Sequence, residues 1–308
     1  MPVHPIPPGT VRDGASIPIE NIRGWCARLE AGEILYFPQT PIAIPPADLA
    51  FLLEQHQSNS QLHKNIAYKP DRDLLSGVDR ESTAGEALER MRGVMHRYSE
   101  AVEEFLKSFL APYVGGWRLD YASFRPIEEQ GRDLPLRQRN DLLHTDSFPT
   151  RPTRGWRILR FFNNIHPSRT REWVVGKPFG DVVHAFAPGK LALPHSESAV
   201  THAAKQMASA TGLTKLVPQW KRTPYDEFMM RLHNAMKEDA EFQRTCDREV
   251  IEFAPGSSWM VYTETVPHAV LAGQFALEQT LLVDPDAMVT PSSAPIAILE
   301  KLAGVRLT

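Results

Sequence analysis

Strand-forming sequence in this chain comes in two blocks, residues 111–176 and 247–285, held apart by an insert over 177–246 that reads as loops and helix. The strands of one core must therefore close across that insert, which makes the chain α+β, with its helices segregated from its sheet. In the first block Trp117 to Arg125 and Trp156 to Ile165 alternate as strands do. In the second, Arg248 to Ala254, Trp259 to Thr263, Ala269 to Gly273 and Phe275 to Val283 do the same. Residues 1–110 read as a mostly helical support layer. A Pro-rich arm (1–15) precedes a helix from Ser16 to Leu29, a short strand from Glu33 to Pro38 and a helix from Pro45 to Gln57. A longer helix from Ser82 to Leu110 carries the apolar stripe Leu88, Met91, Met95, Tyr98, Val102 and Phe105. The insert is expected to hold a helix near Glu197 to Ala210 and another, opened by Thr223-Pro224-Tyr225-Asp226, running to about Arg244. With 286–308 as a C-terminal tail, the whole is read as one domain (1–308).

The two strand blocks share one chemical constellation. On extended backbone, positions i and i+2 lie on one face, so His144 and Asp146 of His144-Thr145-Asp146 can converge on one ion. His268, just after the strand-like run Trp259 to Tyr262, is the best third ligand. Together they make a 2-His-1-carboxylate triad with open coordination positions, the arrangement of non-haem Fe(II) oxygenases. A bare H-x-D arises readily by chance, and the downstream context is what gives it weight. Cys26 and Cys246 offer neither a disulfide framework nor ligand spacing, and His184, His195 and His202 read as surface or substrate contacts.

A net charge of −3 argues against general nucleic-acid binding, yet the charge is uneven. Between Arg118 and Arg171 stand eleven Arg, no Lys and six acids. Guanidinium forks suit carboxylates and phosphates. An Fe(II) oxygenase of this type usually takes 2-oxoglutarate as electron donor, and the far carboxylate of that molecule needs a cation. The stretch after His268, Ala269 to Thr280, where such enzymes often carry one, has none. Arg160 is the choice, with Arg157 the competitor on the opposite strand face; Asn163, Tyr121, Gln279 and Thr280 are the neutral hydrogen-bonding candidates. No apolar run approaches the roughly 18 to 20 residues of a membrane span. The segment Met1 to Gly9 lacks the basic start and apolar run of a secretory signal, so a cytoplasmic location is expected.

Two long motifs carry a family resemblance. They are His144-Thr145-Asp146-Ser147-Phe148-Pro149-Thr150-Arg151-Pro152-Thr153-Arg154-Gly155-Trp156-Arg157-Ile158-Leu159-Arg160-Phe161-Phe162-Asn163-Asn164-Ile165 and Val266-Pro267-His268-Ala269-Val270-Leu271-Ala272-Gly273-Gln274-Phe275-Ala276-Leu277-Glu278-Gln279-Thr280. The chain resembles the Kdo 3-hydroxylases, Fe(II)- and 2-oxoglutarate-dependent dioxygenases that hydroxylate 3-deoxy-D-manno-oct-2-ulosonic acid (Kdo) of the lipopolysaccharide inner core. The resemblance implies a double-stranded β-helix (a jelly-roll, cupin-like core), Fe(II) held by His144, Asp146 and His268, and 2-oxoglutarate and O2 as co-substrates. It also implies Kdo-bearing lipid A as substrate. Arg125, Arg132, Arg137, Arg139, Arg151 and Arg154 are then the pool for its carboxylate and phosphates, and Arg and Phe148 would dock the protein peripherally on the cytoplasmic membrane face. Two alternatives stand beside it. One is an oxygenase of the same fold acting on a protein side chain or small metabolite, the other a non-catalytic sugar- or lipid-binding relative.

Overall fold

The computed structural model describes residues 3–10, 17–55, 65–78, 85–187, 189–197, 207, 211 and 218–308. Its strands are β1 (Val3–Pro5), β2 (Ile34–Phe37), β3 (Ile66–Lys69), β4 (Leu74–Ser76), β5 (Trp117–Arg125), β6 (Arg157–Asn164), β7 (Arg171–Gly176), β8 (Arg248–Phe253), β9 (Ser258–Tyr262), β10 (His268–Ala272) and β11 (Ala276–Val283). Its helices are α1 (Ile19–Glu30), α2 (Pro46–Leu53), α3 (Glu86–Phe109), α4 (Phe179–Phe186), α5 (Pro224–Glu238), α6 (Ala240–Thr245) and α7 (Pro295–Ala303) among the described residues. An eight-stranded sheet, in the order β1-β2-β9-β6-β11-β5-β3-β4, faces a three-stranded sheet in the order β10-β7-β8. Every pairing is antiparallel except β1 with β2. This is the double-stranded β-helix that the resemblance implied.

Strand parity sorts the side chains into layers. From β6, Leu159 and Phe161 turn outward to the helices, while Phe162 turns inward. From β9, Met260 and Tyr262 go outward, and Trp259 and Val261 inward to meet Trp173 and Val175 of the small sheet. The outer layer is closed by the apolar stripe of α3, where Phe37 packs edge-on against Phe105 and Phe109 at ring distances of 5.7 and 5.2 Å. Burying large aromatic side chains on both faces of one sheet is the main stabilising contribution to such a core.

The insert is fastened to the loop that follows β5. Thr223 and Asp226 form a reciprocal cap at the start of α5, and Asp226 Oδ1 also accepts the backbone N–H groups of Thr153 and Arg154 at 2.8 and 3.0 Å. Arg154 has φ +55° and Gly155 φ +89°, and a Cβ on Gly155 would collide with Ile296 of α7. The helix expected to run to Arg244 breaks at Asp239, which leaves helical geometry (ψ 94°) and caps α6 by accepting from Phe242 N.

Other differences from expectation lie where signals were short. Beside the expected β2, the N-terminal 110 residues carry β1, β3 and β4, which extend the large sheet at its edges, and α4 and α7 stand where loop and tail were read. The helix expected near Glu197 to Ala210 lies outside the described residues, apart from Glu197 and Met207. Among the described residues no helix is long and apolar enough to cross a membrane.

Candidate metal centre

His144 and Asp146 lie on extended backbone that is pinned at both ends. His144 and His268 form an antiparallel β-bridge with reciprocal N–H to C=O bonds of 3.1 and 2.9 Å, and Asp146 N–H donates to Thr263 O at 2.9 Å. Thr145 turns to the other face, so the two ligand side chains share one side. One ligand atom from each of His144, Asp146 and His268 falls within 4.8 Å of the others.

The protonation states fit a cation. His144 Nδ1–H donates to Leu142 O at 2.7 Å and His268 Nδ1–H to Val266 O at 2.9 Å. A carbonyl only accepts, so each Nδ1 holds the proton of a neutral ring and each Nε2 keeps a lone pair for metal. Burial, reinforced by His268 and Lys237, pushes His144 well below the usual imidazole range, and burial lowers His268 as well. For Asp146, burial alone would raise the carboxyl, but the Arg160 guanidinium, aided by a hydrogen bond from Thr263, outweighs it and holds the group ionised. Because the folded state refuses protons that the unfolded histidines accept, the metal-free protein should lose stability as pH falls below about 6.5. Asp146, also held below its ordinary value, acts in the same direction but gives up its contribution only below about pH 4. Denaturant midpoints at pH 7.5 and 5.5 in chelator test this: a lower midpoint at 5.5 is expected, and an equal one contradicts buried neutral imidazoles.

Behind the triad runs a buried chain of charges. Arg160 Nη2 lies 2.9 Å from Asp146 Oδ2, and its Nη1 donates to Glu278 Oε1 at 2.7 Å. Glu278 also takes the Arg125 guanidinium. Glu129 then stands 3.9 Å from Arg125, 3.9 Å from Arg171 and 3.8 Å from Arg132. Four guanidiniums thus face three carboxylates. Arg171 is the least committed of them: Nη1 donates to Gly273 O at 3.0 Å, while its Nε is buried with no hydrogen-bond partner among the described residues. Burial and the like charge of Arg125 push it down to about 10. Gly273 (φ +127°) is required there, because a Cβ would stand 3.1 Å from Arg171 Cα. Arg160 Nε and Trp173 Nε1 are likewise buried without a hydrogen-bond partner among the described residues. Orphaned donors beside an excess of positive charge suit a small dianion, and the His and Asp donor set suits a divalent metal.

The structure places the other sequence-derived residues as follows. Thr280 lies inside the barrel and donates to Glu278, and Tyr121 lies against Arg151. Arg157, Asn163 and Gln279 turn to the helical side. Arg157 pairs with Glu264, Asn163 accepts from Tyr98 at 2.7 Å, and Gln279 accepts from Ser99 at 2.8 Å. Arg125 is inside the buried chain, Arg139 is half-buried and paired with Asp141, and Arg154 is exposed at its turn. Sequence reasoning missed Arg171, Glu278, Trp173 and His233. Trp173 stacks on His268 at 5.1 Å. His233 of α5 donates from Nδ1 to Thr145 O at 2.7 Å and packs edge-on against His144 at 4.9 Å. Only its helical neighbourhood signals it, since no ligand spacing links it to the triad.

Comparison with known proteins agrees with this geometry. Residues 13–306 match the family of 3-deoxy-D-manno-oct-2-ulosonic acid (Kdo) hydroxylases. The crystal structure of the Kdo hydroxylase KdoO, a non-haem Fe(II), α-ketoglutarate-dependent dioxygenase, in complex with α-ketoglutarate and Fe(III) is 31% identical. The match covers 100% of this chain and 98% of that one, with a TM-score of 0.83. The apo form of KdoO matches at 31% identity over 100% and 97%, TM-score 0.82, and a cobalt(II) complex at 31% over 100% and 97%, TM-score 0.83. A comparison with curated protein sequences returns no match. The chain belongs to the Kdo hydroxylase family, and it is an Fe(II)- and 2-oxoglutarate-dependent dioxygenase.

Proposed function

We propose that this dioxygenase hydroxylates carbon 3 of a Kdo residue carried on lipid A, working as a peripheral protein at the cytoplasmic membrane face. The observation that carries the reading is the convergence of His144, Asp146 and His268 on one point beside a buried, net-positive set of guanidiniums, in a chain of this family. Fe(II), with 2-oxoglutarate and O2, supplies the oxidant for a C–H bond. The chain's own residues do the rest. Nε2 of His144 and of His268 and the Asp146 carboxylate hold the metal, and Leu142 O, Val266 O and the Trp173 ring fix the imidazole planes. Arg171 and Arg125 take the far carboxylate of 2-oxoglutarate, because Arg171 has unspent donors and a depressed affinity for its proton that an anion would restore. Arg160 sits between that anion and Asp146. Phe162, Trp173 and Trp259 keep this end of the barrel dry.

Loss of a charge-assisted hydrogen bond sets the expected effect of Arg171→Met: about a 10- to 100-fold rise in the 2-oxoglutarate requirement, with Co(II) affinity unchanged. Arg160→Ala should raise the requirement and also disturb the metal, since it removes the partner of Asp146. An unaltered requirement in Arg171→Met would move the anchor to Arg160 alone.

The substrate reading is tested by mass spectrometry of Kdo-bearing lipid A and of free Kdo, each incubated with Fe(II), 2-oxoglutarate and air. Gain of one oxygen on the Kdo of the lipid, dependent on 2-oxoglutarate, is expected. Gain on neither, with succinate still formed, would keep the oxygenase and discard this substrate.

A further inference from the structure

At the outer side of the metal centre, cations and rings alternate. Lys69 Nζ lies 5.2 Å from the centre of the Tyr121 ring. Arg151 Cζ lies 3.9 Å from the same ring and 4.3 Å from that of Phe148, and Arg160 Cζ lies 5.6 Å from Phe148. The stack therefore begins at a lysine and ends at the guanidinium that touches Asp146. Phe148, two residues beyond that ligand, has both arginines against its ring. The two differ in environment: the Arg160 side chain is 12% exposed and bound to two carboxylates, whereas Arg151 is 33% exposed and bound to one, Asp120, through Nη1. Among the described residues, Arg151 Nε and Nη2 have no hydrogen-bond partner.

A guanidinium clamped between two rings and held by an acid has little orientational entropy left to lose, and Arg151 keeps donors to offer. The chemistry of the reaction makes such a group necessary. An ulosonic acid carries a carboxylate, 2-oxoglutarate carries two, and the interior guanidiniums would bind any of them. A sugar acid drawn inward would occupy the co-substrate site; something must hold it out. We propose that Phe148 is the partition between two carboxylate sites, and that Arg151 on its outer side binds the carboxylate of the sugar while Arg160 on its inner side stays with the metal and the 2-oxo acid. This rests on the Kdo hydroxylase reading above. Lys69, 5.2 Å from the centre of the Tyr121 ring, adds positive charge to the same mouth, and Asp120 holds one end of Arg151 through Nη1.

The test uses the full-length chain with Fe(II). Co-substrate binding is read without turnover, from the charge-transfer absorbance of the anaerobic Fe(II)–2-oxoglutarate complex. Substrate recognition is read as KM for the Kdo substrate and for its carboxyl methyl ester. For Arg151→Gln the expected result is a KM for the acid raised about 10- to 100-fold, no further rise for the ester beyond that of the unaltered protein, and unchanged 2-oxoglutarate binding. Arg151→Lys keeps the charge and loses the fork, and should fall between the two. Phe148→Ala should form more succinate per hydroxylated sugar, because the partition is gone. An unchanged KM for the acid in Arg151→Gln, or equal penalties for acid and ester, would overturn the assignment of Arg151. An unchanged succinate-to-product ratio in Phe148→Ala would overturn the partition. If the unaltered protein gives no charge-transfer absorbance, the oxygenase reading itself fails, and the proposal fails with it.

Discussion

Replacing Asp146 with alanine should abolish both Fe(II) binding and hydroxylation while leaving the chain folded. The argument is one of charge. Among the three ligands Asp146 alone is an anion, and it is kept ionised by Arg160 against the effect of burial. Without it, a divalent ion would face two neutral rings and the Arg160 guanidinium. Losing an outer-sphere partner of a metal ligand costs roughly 10- to 100-fold, so losing the charged ligand itself should cost more than about 100-fold. The fold should tolerate the change, because Arg160 retains Glu278 at 2.7 Å and the extended backbone is held by His144, His268 and Thr263 main-chain bonds. His144→Ala should behave alike in activity. Far-ultraviolet circular dichroism, a Co(II) titration and turnover on the same preparation check the set, and retained turnover in either variant contradicts the triad.

Arg157→Met should do the reverse, unsettling the fold and sparing the co-substrate site. Arg157 is fully buried: its Nε donates to Glu264, Nη2 donates to Thr265 Oγ1 at 2.6 Å, and its Cζ lies 3.9 Å from the centre of the Tyr262 ring. Glu264 also accepts the Ile158 backbone N–H at 2.9 Å, which ties the β9 to β10 connection to β6. Removing one member of a buried pair strands the other, at a cost of about 3–5 kcal/mol. Urea unfolding should show that loss, with 2-oxoglutarate affinity unaltered where the variant is folded. A raised 2-oxoglutarate requirement at undiminished stability would instead place the anchor on this arginine.

The contrast between Arg157 and Arg160 shows what the sequence could convey. Period-2 alternation located β5, β6, β8, β9 and β11 to within a residue or so, and their parity alone puts Arg157 and Arg160 on opposite faces. The same parity turns Asn163 to the helical side with Arg157, and Gln279 likewise lies opposite Glu278 and Thr280. The charged chain behind the metal was not legible. The stretch after His268 presents Glu278 where a cation was sought, and Glu278 instead gathers Arg160 and Arg125 onto itself from two other strands. Arg171 and Trp173 have no spacing that marks them, because their meaning comes from the small sheet folding over the large one. Short edge strands such as β3 and β4 exist through pairing with β5 and not through local preference. The reading of 286–308 as a tail passed over the signals of α7, Pro295 at its first turn and Gly304 at its end in left-handed geometry.

The most direct measurement of the central claim is the fate of molecular oxygen. The protein is incubated under 18O2 with Fe(II), 2-oxoglutarate and the Kdo substrate, and both products are weighed by mass spectrometry. An Fe(II)- and 2-oxoglutarate-dependent dioxygenase that hydroxylates Kdo should place one heavy atom in succinate and one in the new hydroxyl of the sugar, in equal amounts. Label in succinate with none in the sugar, or an oxygen on the sugar drawn from water, would contradict it.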